Sequence, residues 1–252
     1  MGNEIKAVVL CAGKGVRLNA SGSDAPKVMR KACGKPLLWY VLDSLSFLND
    51  NDIILVVGYK KEAVIDYFSE SGYKFAVQEQ QLGTGHAVMS AKELLEGHKG
   101  AVLVCYGDMP AIGSEVYQKL LKTHFDETND CTLLTGESEL AISFGRILRD
   151  GDGSFIHVVE EKDCTQEQLE ITELNTGVYV FDTRLLLESL MSLKNDNKQG
   201  EYYITDIPAI MKKNGAKIGI YKENLGANII GVNTIEHLTM VEDILRERSE
   251  KG

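Results

Sequence analysis

Apolar and polar positions along the chain of 252 residues follow two successive rhythms. In the first, β-branched runs at 5–13, 53–59, 73–78 and 101–106 alternate with helically spaced apolar residues, among them Leu37/Leu38/Val41/Leu42/Leu45 and Ala63/Val64/Tyr67/Phe68. A strand covered on both faces reads as a continuous apolar run, and an amphipathic helix as a 3.6-residue period. This stretch therefore predicts parallel strands joined by right-handed helical crossovers. Ligands of such sheets gather at the carboxyl ends of the strands, which places Gly13 and Asp108 on one rim.

After about residue 130 the segments shorten and become β-rich, at 131–136, 144–149, 154–160 and 174–181. Between two of them Asp150-Gly151-Asp152-Gly153 predicts a hairpin turn. A helical pattern over 184–194, a polar loop from Lys194 to Gly200, a helix near 205–214 and strands at 216–222 and 228–233 follow. The final segment from 235 sets Ile235, Leu238, Val241, Ile244 and Leu245 at helical spacing between charges. Such an amphipathic helix can pack on its own domain or connect it to another domain or subunit.

An apolar content of 44% is enough to core one large α/β domain, alone or with an appended lobe. No apolar run reaches the ~18 residues of a membrane span, and MGNEIKAVVLCAG lacks the features of a signal peptide, so a soluble cytoplasmic protein is expected. The five cysteines have no CxxC pair, which points to reduced thiols and against structural zinc. Cys11 and Cys105 lie in apolar runs and are expected as small buried hydrophobes.

Charge changes the picture more. Residues 1–36 carry seven basic side chains (Lys6, Lys14, Arg17, Lys27, Arg30, Lys31, Lys35) against Glu4 and Asp24, a local +5 within a chain of net −10. The remaining −15 disfavours nucleic acid and anionic membranes as partners and leaves a small anionic ligand in a local pocket. The basic residues flank a glycine turn, VLCAGKGVRLNASGSDAPKVMRKACGKP, in which backbone N–H groups can approach phosphate closely. It is not a Walker A loop, since Gly13-Lys14 and Gly34-Lys35 are followed by Gly15 and Pro36. It is not a dinucleotide fingerprint either, because Leu18 stands where the third glycine belongs and Gly58-Tyr59-Lys60 lacks the ribose-binding acid.

Further segments combine turn geometry with polar groups. Gln78 to His86, with Gly83-Thr84-Gly85, offers an amide and backbone groups suited to a pyrimidine edge, or else a glycine-capped strand-to-helix loop. Tyr106-Gly107-Asp108 ends an apolar strand with an acid placed either to hold a divalent metal or to cap a helix. Phe144-Gly145-Arg146-Ile147, Val159 to Asp163 and Leu174-Asn175-Thr176-Gly177 bring carboxylate and amide groups, with Glu160 and Asn175 suited to sugar hydroxyls. Spacing leaves open whether Glu161-Lys162-Asp163 is simply an exposed charged turn.

Taken in order, LCAGKGVRL, PKVM, GKP, QLGTGHAV, YGDMP, FGRI, VEEKDCT, ELNTGVYVFD, GEYYITDI and GVN resemble the uridylyltransferase domain of the bacterial N-acetylglucosamine-1-phosphate uridyltransferases, within the broader family of sugar-nucleotide pyrophosphorylases. The resemblance covers residues 8–233. It implies an α/β, Rossmann-like (GT-A-like) nucleotidyltransferase fold: a mixed, mostly parallel sheet flanked by helices, with a smaller β-rich sugar-binding lobe. The nucleotide part would span about 1–130 and the sugar part about 131–233, followed by a linker-like helix over 234–252.

By the same resemblance, Ala12, Gly13, Lys14 and Gly15 contact the nucleotide, Arg17 and Lys27 hold its phosphates, and Gln78, Gly83 and Thr84 recognise uracil. Asp108 and Asn233 coordinate Mg²⁺. Tyr106, Gly145, Glu160, Asn175, Tyr203 and Thr205 line the sugar pocket, and Arg17, Lys27 and Asp108 carry the catalysis. The implied reaction joins UTP and N-acetylglucosamine 1-phosphate to UDP-N-acetylglucosamine with release of pyrophosphate. Glucose 1-phosphate as the sugar, or a catalytically weak nucleotide-sugar sensor, are the competing readings. The loop departs from the family pattern in carrying Val16 where Thr is usual and in a longer 18–25 interval. No hexapeptide repeat of a left-handed β-helix acetyltransferase domain occurs, so nucleotide-sugar synthesis without acetylation, by a monomer or weak oligomer, is expected.

Overall fold

The computed structural model describes residues 4–15, 25–137 and 144–251. From the amino end run β1 (Ile5–Leu10), a small ribbon of β2 (Lys31–Ala32) and β3 (Lys35–Pro36), α1 (Leu37–Ser44), β4 (Ile53–Val57) and α2 (Lys61–Tyr67). Next come β5 (Lys74–Val77), α3 (Thr84–Ser90), α4 (Lys92–Leu95), β6 (Ala101–Tyr106) and α5 (Ser114–Asp126). The second half holds β7 (Cys131–Glu137), β8 (Gly145–Arg149), β9 (Phe155–Val159), α6 (Gln166–Leu169), β10 (Glu173–Asp182) and α7 (Thr183–Leu190). It ends with α8 (Ile207–Lys213), β11 (Ile218–Glu223) and α9 (Ile235–Lys251).

The main sheet has the order β11-β7-β10-β6-β1-β4-β5. β1 pairs in parallel with β4 and β6, and β4 with β5, as the alternation of apolar runs and helices requires. β10 then inserts antiparallel between β6 and β7, while β11 lies parallel to β7. The sheet is mixed with a parallel amino-terminal half, and β8 and β9 form an antiparallel hairpin across the Asp150–Gly153 turn that leans off β10. Asp150 fixes the turn by accepting from the N–H of Asp152 (3.1 Å) and Ser154 (2.8 Å).

Successive residues of a strand face opposite ways, so each apolar run feeds two cores. Ala7, Val9, Leu55 and Leu103 meet Leu38, Val41 and Leu42 of α1 and Tyr117, Leu120 and Leu121 of α5 on one face. Val8, Val56, Val102 and Val104 meet Val88 of α3, Leu186 and Leu190 of α7 and Met211 of α8 on the other. At about 1.5–3 kcal/mol for each fully buried Val or Leu, these two layers hold the strand ends, and hence the rim, in place. Cys11 and Cys105 are among these buried residues, as expected.

Three segments differ from the sequence pattern. α5 is a helix beyond those picked out above, although Val116, Leu120 and Leu121 recur at helical spacing. The helix expected over 184–194 stops at Leu190, its start fixed by Asp182, which accepts from the N–H of Leu185 (2.9 Å). Residues 228–233 are not a strand: a 3₁₀ turn at Gly226–Ile229 leads into an extended stretch whose Val232 N–H bonds the Asp108 carbonyl (2.9 Å). Ile230 and Val232 are apolar because they bury with Ala32 and Leu37 beneath Val241 of α9, not because they alternate in a ladder. α9 thus packs on its own chain, and Arg248 at its end donates to the Ala111 carbonyl and to Asn228 Oδ1 (3.2 Å). No helix among the described residues is long and apolar enough to cross a membrane.

Candidate active site

The carboxyl ends of β1, β5 and β6 open into two adjoining cavities. The first, about 300 Å³, is bounded by Ala12 and Gly13 after β1, by Gln78, Gly83 and Thr84 between β5 and α3, and by Tyr106 and Asp108 after β6. The second, about 260 Å³, is bounded by Gly145 on β8, Glu160 after β9, Asn175 on β10, and Tyr203, Thr205 and Asn233. Lys27, Thr84, Tyr106, Asp108 and Glu201 border both.

Between the cavities the Lys27 ammonium forms an ion pair with Asp108 and donates to Asn233 Oδ1 (2.8 Å). These residues lie 81 and 206 positions from Lys27 in sequence. The junction depends on Gly15, where a Cβ would sit 2.6 Å from Cβ of Lys27, too close for any other side chain beside the lysine stem. Asn233 is held in turn by donating from Nδ2 to the Gly231 carbonyl (3.1 Å). Two oxygens, one from a carboxylate and one from an amide, therefore face a single cation position.

That donor set fits Mg²⁺, a hard ion that takes oxygen ligands and characteristically keeps substrate phosphates and water in the rest of its shell. Among the described residues no group of three or more His, Cys, Asp or Glu side chains is placed to hold a metal.

The first cavity is shaped by a buried amide. Gln78 Nε2 donates to the Gly83 carbonyl (3.0 Å) and lies 3.1 Å from His86 Nδ1. The Leu82–Thr84 turn is also tied to residues 202–204: Tyr202 N–H bonds the Leu82 carbonyl (2.8 Å), Gly85 N–H bonds the Tyr202 carbonyl (2.7 Å) and Ile204 N–H bonds Thr84 Oγ1 (3.1 Å). A shift of either loop moves both cavities. Burial pushes the Tyr106 phenol upward, with Thr84 hydrogen-bonded to it, so the hydroxyl between the cavities stays protonated.

In the second cavity burial pushes the Glu160 carboxyl above its usual range, while the Thr205 hydroxyl, donating to Oε1 at 2.9 Å, opposes the shift. Asp206, one residue on, is pushed up to about 6 by burial and by Asp196 and Asp163. Gln199 Nε2 donates to the Tyr203 hydroxyl (2.6 Å). Asn175 donates through Nδ2 to the Tyr179 hydroxyl (2.7 Å), and its buried Oδ1 has no protein partner.

Of the residues singled out by sequence, Ala12, Gly13, Lys27, Gln78, Gly83, Thr84, Tyr106, Gly145, Glu160, Asn175, Tyr203, Thr205, Asp108 and Asn233 all border the paired cavities. Lys14 and Gly15 lie in the loop beside them without forming a wall. Arg17 falls outside the described residues, as do Val16 and most of the 18–25 interval. Glu201 and Gln199 are additions: Glu201 belongs to the GEYYITDI motif, in which the resemblance points to the tyrosine and threonine, and Gln199 sits in a polar loop with no signal of its own.

The nucleotidyl transferase family model matches residues 6–224. The chain belongs to that family. It is 40% identical over 246 residues, 96% of its length, to the bifunctional protein GlmU of Clostridium botulinum (strain Loch Maree / Type A3), and covers 52% of that protein. Against the bifunctional protein GlmU of Lactobacillus johnsonii (strain CNCM I-12250 / La1 / NCC 533) the identity is 41% over 241 residues, covering 96% of this chain and 51% of the relative. The chain thus spans about half the length of these curated relatives. Among solved structures, apo-UDP-glucose pyrophosphorylase superposes with a TM-score of 0.78 over 98% of this chain and 100% of the other, at 18% identity, a likeness of fold. The mixed sheet with flanking helices is the architecture this transferase shares with it.

Proposed function

We propose that this nucleotidyl transferase is a UDP-N-acetylglucosamine pyrophosphorylase, joining UTP and N-acetylglucosamine 1-phosphate with release of pyrophosphate. The observation that carries this reading is the pair of cavities meeting at Lys27 and Asp108, one beside a phosphate-suited glycine loop and the other lined by Glu160, Asn175 and Asn233. The resemblance to the N-acetylglucosamine branch supports the choice of sugar.

On this reading the first cavity takes the nucleotide, with Gln78, Gly83 and Thr84 at the uracil edge and Ala12 and Gly13 along the nucleoside. The second takes the sugar, whose hydroxyls meet Glu160 and Asn175 and whose 1-phosphate points toward Lys27. The bond that forms joins the sugar-phosphate oxygen to the α-phosphorus of UTP, and the bond that breaks releases pyrophosphate in line. A phosphate monoester is already an anionic nucleophile near neutral pH, so no serine or cysteine attack is required. The chain's task is to align two anions and offset their repulsion, with Lys27 and Arg17 supplying positive charge at the phosphates.

Asp108 and Asn233 are the residues that would hold Mg²⁺, and a bound ion supplies charge neutralisation at phosphate oxygens. The free thiols of all five cysteines support a reducing, cytoplasmic setting. The test is pyrophosphate release by purified protein with Mg²⁺ and N-acetylglucosamine 1-phosphate across the common nucleoside triphosphates. UTP is expected to give the highest rate, and a preference for another triphosphate, or no release with any, would contradict the proposal.

A further inference from the structure

Gln78, in the wall of the first cavity, owes its orientation to a residue that borders neither cavity. It follows β5 and is buried. Its Nε2 lies 3.0 Å from the Gly83 carbonyl oxygen and 3.1 Å from Nδ1 of His86, in the first turn of α3. A backbone carbonyl only accepts, so the Gly83 contact fixes which end of the Gln78 amide is nitrogen. Nδ1 of His86 must then accept as well, which places the ring proton on Nε2. Gly83 is itself fixed, by a φ of +109° and by Tyr202, whose carbonyl oxygen would lie 2.6 Å from a Cβ there.

The backbone of Gln78 is engaged too: its N–H bonds the Val57 carbonyl (2.8 Å), and its carbonyl accepts from Gln81 Nε2 (3.2 Å). With both side-chain N–H groups also taken, Gln78 has an acceptor, Oε1, and no donor to offer a ligand. An acceptor matches uracil, whose ring carries N3–H, and opposes cytosine, whose N3 is a bare acceptor. A buried polar group that one base satisfies and the other leaves unpaired is the arrangement in which discrimination is largest.

We propose that His86 is a positioning residue for base selection: by accepting from the second amide N–H it keeps Gln78 from presenting a donor, so that the site admits a base with a ring N–H and rejects one with a bare ring nitrogen. The inference rests on reading the first cavity as the nucleotide pocket.

The test compares wild type with His86→Phe, which keeps a flat ring beside Tyr202, with His86→Asn, whose Oδ1 can stand in for Nδ1, with Gln78→Ala, and with the double variant of His86→Phe and Gln78→Ala. The readout is the inhibition constant of CTP against UTP divided by the KM for UTP. His86→Phe should lower this ratio roughly 3- to 10-fold, the worth of one neutral hydrogen bond, with the sugar-phosphate KM unmoved. His86→Asn should stay within about 2-fold of wild type, and in the Gln78→Ala background His86→Phe should have no further effect. A ratio unchanged in His86→Phe, or an effect that persists without Gln78, would overturn the proposal while UTP selection by the wild type still stood. Wild type that binds CTP as well as UTP would instead sink the reading of the first cavity on which the proposal rests. A measurement on the wild type stands apart from variant folding: nitrogen NMR of the His86 ring at about pH 8 should show a proton on Nε2 and none on Nδ1. A proton on Nδ1 would equally overturn it.

Discussion

Replacing Lys27 by Met keeps an aliphatic stem beside Gly15 and removes the ammonium shared by Asp108 and Asn233. The side chains of Lys27 and Asp108 are 13% and 16% exposed, so water screens the lost contacts only in part. One hydrogen bond to a charged group contributes about 1.5–3 kcal/mol, and a carboxylate left without its cation adds to the loss, giving about 2–3 kcal/mol for a partly hydrated site. At about 2–4 °C per kcal/mol for a chain of this size, the melting midpoint of Lys27→Met should fall by about 4–12 °C without metal. Mg²⁺ should then raise the variant's midpoint more than the wild type's, because the oxygens facing the site are no longer engaged by a lysine. Thermal melts with and without Mg²⁺ read both effects. A fall of less than about 1 °C, or equal responses to Mg²⁺, would refute the reasoning that this lysine and a divalent ion share one position.

Asp108→Ala should nearly abolish turnover while retaining the fold, with Asn233→Ala milder because an amide oxygen carries less charge; steady-state assays check both, as does loss of wild-type activity with EDTA. Arg17→Ala should lower kcat by about 10²–10³, the scale of one positioned charge donor, and Arg17→Lys should restore only part; a change confined to the KM for UTP would remove Arg17 from the catalytic step. Asp206, at about 6 against an ordinary 3.8, binds its proton more tightly folded than unfolded, so its stabilising contribution is present below about pH 4 and lost as pH rises through 6. Asp206→Asn should therefore melt higher than wild type at pH 7, the advantage fading toward pH 4 in melts across that range.

The parallel half of the fold is legible because β1, β4 and β6 are buried on both faces, which forces continuous apolar runs, and the Asp150–Gly153 turn announces itself through its glycines. The insertion of β10 between β6 and β7 is not legible, since periodicity reports which faces are covered and not which strand lies alongside. Residues 228–233 read as a strand for a related reason: Ile230 and Val232 are apolar to fit beneath α9, and composition does not distinguish that from a ladder. In the site, residues attached to glycine turns or strand ends were recognisable, whereas the Lys27–Asn233 bond joins parts of the chain that only folding brings together.

The assignment as a UDP-N-acetylglucosamine pyrophosphorylase meets its most direct test in the ratio of kcat/KM for N-acetylglucosamine 1-phosphate to that for glucose 1-phosphate, measured with saturating UTP and Mg²⁺. The proposed reading, in which the cavity bordered by Glu160 and Asn175 takes the sugar of the N-acetylglucosamine branch, predicts a ratio well above one and UDP-N-acetylglucosamine as the product. A ratio below one, with UDP-glucose formed faster, would contradict it.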